Sequence, residues 1–128
     1  MSRAILFKGK RKDNGEWVEG GYFCEPYTDK KLIICWNSFG LGFNEFIEID
    51  PNTLCQYAGL NDKNGQKIWE NDIVEIPSED GYFKCEWEED TVKFVFNGNG
   101  LTVDFDNYWA HEVEVIGNIF DNYELLEV

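Results

Sequence analysis

Basic residues are scarce: 11 Lys and Arg stand against 25 Asp and Glu, a formal net charge of −14. Clustered Lys and Arg supply most of a protein's affinity for nucleic acid, so a phosphate-tracking surface is disfavoured over most of this chain. The few cations are also unevenly placed. Residues 1–31 carry seven basic and five acidic side chains, whereas the remainder carries four and twenty. Histidine is scarcer still, His111 being the only one. Long apolar runs are missing: none approaches the roughly 20 residues of a membrane helix. Residues 1–7 lead into Lys8 without the apolar stretch of a secretory signal, so a cytoplasmic protein with no membrane contact is expected. Close cysteine pairs are absent too, because Cys24, Cys35, Cys55 and Cys85 are separated by 11, 20 and 30 positions. Zinc sites usually show at least one close ligand pair. No metal and no cofactor are expected, and the cysteines are read as buried thiols of a reducing compartment.

What is abundant is aromatic. Ten Phe, six Tyr and five Trp supply much of a 43 % hydrophobic composition in 128 residues, enough for the core of one domain of ordinary size. Charged residues reach 28 % but are dispersed among Val, Ile and aromatics, unlike a disordered chain. The acidity reads first as a solvated, self-repelling surface.

Apolar residues recur with a period of two, and turn residues punctuate them every 8–12 positions, which predicts a mainly β fold with minimal helix. Strands are expected over 4–7, 16–24, 31–36 and 45–49, then 53–57, 67–69, 73–76, 82–88, 92–96, 101–105 and 113–116. Asn14-Gly15 and Asn64-Gly65 are read as tight hairpin turns, and 97–100 as another. Residues 121–126 are expected to form one helical turn that Asp121 can cap. Pro51 removes a backbone donor and ends a strand, so the chain is divided into an N-terminal β-hairpin and sheet region, 1–51, and a barrel-sized region, 52–128, packed as one unit.

Three stretches resemble one family. Arg3-Ala4-Ile5-Leu6-Phe7-Lys8-Gly9-Lys10 with Asn14-Gly15-Glu16-Trp17-Val18 forms the opening. The centre is Tyr57-Ala58-Gly59-Leu60-Asn61-Asp62-Lys63-Asn64-Gly65-Gln66-Lys67-Ile68-Trp69-Glu70-Asn71-Asp72-Ile73-Val74. The ending is Val115-Ile116-Gly117-Asn118-Ile119-Phe120-Asp121-Asn122-Tyr123-Glu124-Leu125-Leu126. Together they are similar to the YopX family of bacteria, prophages and bacteriophages, which has no established biochemical activity. The resemblance implies an SH3-like barrel in the C-terminal part and a phage or prophage origin. Asn71 stands where the family commonly has glycine, a substitution that left-handed backbone tolerates. Segments 25–52 and 77–112 match no signature. Turn chemistry accounts for Gly59, Asp62, Asn64, Gly65, Asp72, Gly117 and Asn118 as scaffold rather than as a site.

Sharper readings fare poorly on the residues alone. Aligning Gly65 with the glycine of a calcium loop puts Leu60 and Asn71 at two essential ligand positions, which excludes an EF-hand. Glu86, Glu88, Glu89 and Asp90 read as an exposed rim rather than paired catalytic carboxylates. His111 could be a general base, but no nucleophile motif accompanies it. Lys8, Lys10, Arg11 and Lys12 beside Trp17 could stack and bind nucleic acid, although neighbouring acids dilute the patch. The reading adopted is a non-catalytic protein–protein interaction module, with a homo-oligomer as one form it can take, Trp87, Trp109 and His111 as a candidate surface and the protein partner unknown. Two alternatives stand beside it: an acidic DNA mimic that occupies a host DNA-binding protein, and a small enzyme using His111 with a carboxylate or thiol.

Overall fold

A computed structural model of the chain describes residues 5–36, 44–77, 79–104 and 112–126. Among these residues the backbone is mainly β, in two antiparallel sheets. Two compact units follow one another, Met1–Gln56 and Tyr57–Val128.

In the first unit, β1 (Phe7–Lys10), β2 (Trp17–Cys24), β3 (Lys31–Trp36) and β4 (Asn44–Glu48) lie in the order β4-β3-β2-β1. Strand β2 changes partner midway: residues 17–20 pair with β1 and residues 21–24 with β3. Gly20 and Gly21 sit at this handover. A Cβ on Gly20 would collide with the Ile34 carbonyl, so glycine is required where the two strands cross closely. The sheet curls until Arg11 bridges to Ile49, with Lys12 N–H donating to Glu48 O and Asp50 N–H to Lys10 O. Ile33 and Ile49 are fully buried, and Gly9 leaves the room that the Ile49 side chain fills. Pro51 opens a 3-10 turn, Pro51–Thr53, capped by Asp50. Thr53, expected in a strand, instead locks this turn to β1: its Oγ1 accepts from Lys10 N–H and donates to Asp50 O.

Strand β5 (Cys55–Asn61) begins in the first unit, pairing with β1 through Cys55 and Gln56. In the second unit it continues against β6 (Lys67–Trp69). The other sheet there runs β10-β9-β8-β7-β11, from β7 (Asp72–Glu75), β8 (Phe83–Glu88), β9 (Lys93–Gly98), β10 (Leu101–Asp104) and β11 (Glu114–Asn118). Its core holds Ile68, Val74, Phe83, Cys85, Phe96 and Val113, all fully buried. The barrel closure expected of this region is not present among the described residues: β10 and β11 lie at opposite edges of an open sheet. The expected terminal turn is a 3-10 turn at Tyr123–Leu126.

The hairpin turns differ from expectation in a consistent way. At both Asn14-Gly15 and Asn64-Gly65 only the glycine has positive φ, at 75° and 79°, which excludes the two-residue type I′ turn. Each of these loops is instead held by an Asx side chain: Asn14 Oδ1 accepts from Glu16 N–H, and Asp62 Oδ1 from Asn64 and Gln66 N–H. The type I′ turn is at Asn99-Gly100, where φ is 50° and 77° and Gly98 faces Leu101 across the hairpin.

Candidate functional site

The residues of the central and terminal motifs build turns. Asp62, only 2 % exposed, accepts three backbone N–H groups: Asn64 and Gln66 on Oδ1 and Val115 on Oδ2, all at 2.9 Å. It thereby ties the β5–β6 loop to β11. Asn64 Nδ2 reaches Glu114 at 3.5 Å. Asp72 is 3 % exposed and accepts from Trp69 N–H at 2.8 Å. Asn71 adopts φ 73°, the left-handed conformation expected of it, while its backbone donates to Cys85 O and accepts from Ile119 N–H. Gly59 has φ 101°. Gly117 lies where a Cβ would meet the Asn122 side chain. Asn118 Oδ1 accepts from Phe120 and Asp121 N–H, and its own N–H donates to Asn122 Oδ1.

Of the candidate surface, Trp109 and His111 lie outside the described residues. Trp87 is 41 % exposed and packs edge-on against Phe94, with centroids 5.1 Å apart. Glu86 is held by Asn97 Nδ2 at 2.7 Å and by Lys84 at 3.2 Å; the hydrogen bond from Asn97, then the lysine, lowers its pKa below the usual carboxylate value. Glu89 and Asp90 are exposed in the turn after β8. In the first unit, Lys8 and Lys10 place their ammonium groups 4.5 and 5.4 Å from the Trp17 ring centre. The indole face proposed for base stacking therefore already carries its own cations. All four cysteines are thiols, but only Cys55 and Cys85 are buried as expected. Cys24 Sγ accepts from Lys31 Nζ at 3.0 Å, and that bond, with Asp29, raises the Lys31 pKa.

A feature that sequence reading missed is the outward face of β2–β4. Register places Phe23 beside Leu32 and Ile34 beside Phe46, and residues two apart share a face, so these four form one apolar strip. Phe23 is 42 % and Phe46 61 % exposed, Leu32 and Ile34 are half-buried, and nothing lies above Gly21 within 4 Å. The period-two alternation of β3 contained the signal: Leu32 and Ile34 are apolar on the face opposite Ile33. The unit presenting the strip is nearly neutral. Residues 1–56 hold seven basic and eight acidic side chains, a balance of −1, against four and seventeen, or −13, in residues 57–128.

With this geometry described, comparison with known proteins adds the family. The family model described as YopX protein matches residues 6–127. The chain belongs to the YopX family. Among curated proteins none matches it. Among solved structures, this YopX chain is similar to the crystal structure of protein EF1440 from Enterococcus faecalis, at 23 % identity and a TM-score of 0.60. The likeness covers 98 % of this chain and 99 % of that one, and it shows a shared fold.

Proposed function

We propose that this YopX protein is a non-catalytic protein–protein interaction module that contacts a second copy of itself through the Phe23–Leu32–Ile34–Phe46 face. The exposed pair Phe23 and Phe46 carries this reading. Large apolar side chains clustered on one sheet face mark contact surfaces, and aromatics are enriched in such patches. A second copy suits this face because residues 1–56 are almost uncharged in sum, so two such units meet without the repulsion that a −13 surface would impose. A phage or prophage origin and a cytoplasmic location in a bacterial host belong to the same proposal; they are supported by the family and by four unbridged thiols.

Light scattering tests the proposal on the intact chain and on the double substitution Phe23→Ser with Phe46→Ser. The intact chain is expected to gain mass with concentration, and the variant, folded by circular dichroism, to stay monomeric. An intact chain that remains monomeric at millimolar concentration, or a folded variant that associates equally well, overturns it.

A further inference from the structure

The second unit holds a groove of about 740 Å³, walled by three separate elements. Pro77 with Glu79, Asp80, Gly81 and Tyr82 form one side, the end of β9 at Asn97 and Gly98 with Asn99 of the following turn a second, and Leu125 and Leu126 of the last 3-10 turn the third. The walls are held by hydrogen bonds between and within them. Asn99 Nδ2 donates to Asp80 O at 3.1 Å, and Glu79 N–H donates to Ile76 O at 3.0 Å. Gly98 has no Cβ where one would strike the Tyr82 carbonyl. The 3-10 turn is tethered to β11, because Asn122 Oδ1 accepts from Asn118 N–H and Asn122 O from Leu125 N–H. The groove is therefore built into the fold, and its size is that of a pocket for a small ligand or a few peptide residues.

Its chemistry is two-sided. Ile76, Pro77, Tyr82, Leu125 and Leu126 supply apolar wall, Leu126 being 37 % exposed. Glu75, Glu79 and Asp80 supply three exposed carboxylates, and among the described residues no Lys or Arg lines the groove. Among the described residues none of these three has an ion-pair partner, although Glu86 and Asp104 on the same sheet each have one. The unit around them has a charge balance of −13, a field that draws cations in and repels anions.

We infer that this groove binds a short basic segment of a partner protein, an arginine or lysine facing the three carboxylates and a neighbouring apolar side chain resting on Leu125, Leu126 and Tyr82. A long basic side chain suits both surfaces, since its aliphatic stem covers apolar wall while its head stays polar. The inference is independent of the sheet face in the first unit and survives if that face proves monomeric.

The test is an NMR titration of the full chain with a blocked tetrapeptide of alternating leucine and arginine, beside spermidine and a leucine–glutamate peptide of equal length. The basic peptide is expected to move the amide signals of Glu75, Tyr82, Asn99 and Leu125. Neutralising Glu75, Glu79 and Asp80 together (E75Q, E79Q, D80N) is expected to weaken binding about tenfold or more. Neutralising Glu88, Glu89 and Asp90 at the far end of β8 removes the same charge and is expected to leave affinity within about twofold, because exposed charges beyond a Debye length are screened. The inference is overturned by no shift at the groove, by equal weakening in both triple variants, or by spermidine binding as tightly as the basic peptide.

Discussion

Replacing Asp62 by alanine removes the acceptor of three backbone donors at once. Asn64, Gln66 and Val115 N–H all point at a carboxylate that is 2 % exposed. A hydrogen bond to a charged group contributes about 1.5–3 kcal/mol net, and a buried donor left without a partner costs about 1–3 kcal/mol. Simple addition would overshoot, because the loop can relax and admit water to two of the three groups. A loss of about 3–5 kcal/mol is expected, a large part of the roughly 5–15 kcal/mol that stabilises an ordinary domain. Urea unfolding followed by tryptophan fluorescence reads it as a lower midpoint with an unchanged slope. Asp62→Asn makes the mechanism specific. It keeps an oxygen for Asn64 and Gln66 but turns an NH2 group toward Val115 N–H, so a smaller loss, about 1–3 kcal/mol, is expected. A loss below about 1 kcal/mol for alanine, or equal losses for both variants, would refute the claim that these bonds hold the motif together.

Two further outcomes follow from the thiols and the carboxylates. Alkylation read by mass spectrometry is expected to modify Cys24 first and Cys35 more slowly, since burial, then Glu45, raises the Cys35 thiol pKa and depletes its thiolate. Cys55 and Cys85 should react only on unfolding; prompt labelling of either contradicts the packing. Glu86, whose pKa is lowered from an ordinary 4.5, adds stability that is present above that value and lost as pH falls through the lower folded one. Wild type should therefore exceed Glu86→Gln by up to about 1 kcal/mol at neutral pH, the modest contribution of a partly exposed pair. Chemical denaturation at several pH values should show this margin shrinking below pH 4.5; a margin that grows there contradicts the assignment.

Strand positions were legible because alternation is local: β3 at Lys31–Trp36 and β6 at Lys67–Trp69 lie where the pattern placed them. Turn type was not, because the similar Asn-Gly pairs at 14–15, 64–65 and 99–100 were resolved by their neighbours. Asp62, three positions before Gly65, captures the loop with its side chain, and Asn14 does the same for Glu16, leaving Asn99-Gly100 alone to take two positive φ angles. The curl of the first sheet was not legible for a related reason. The curling that joins one strand end to another occurs in the first unit, through Arg11 and Ile49, and depends on a Gly20-Gly21 handover whose partners are set by tertiary pairing. The apolar strip escaped notice because Phe23 and Phe46 are 23 positions apart, and only register sets them on one face. His111 and Trp109, chosen for their chemistry, fall outside the described residues, and so the enzyme reading gains no support from them.

The claim that the first unit meets a second copy face to face is tested most directly by an NMR dilution series of the intact chain, from millimolar to micromolar. Signals of Gly21, Phe23, Ile34 and Phe46 are expected to move together along one binding curve while those of β8 and β9 stay still. Spectra identical at every concentration, or shifts confined to the second unit, would contradict it.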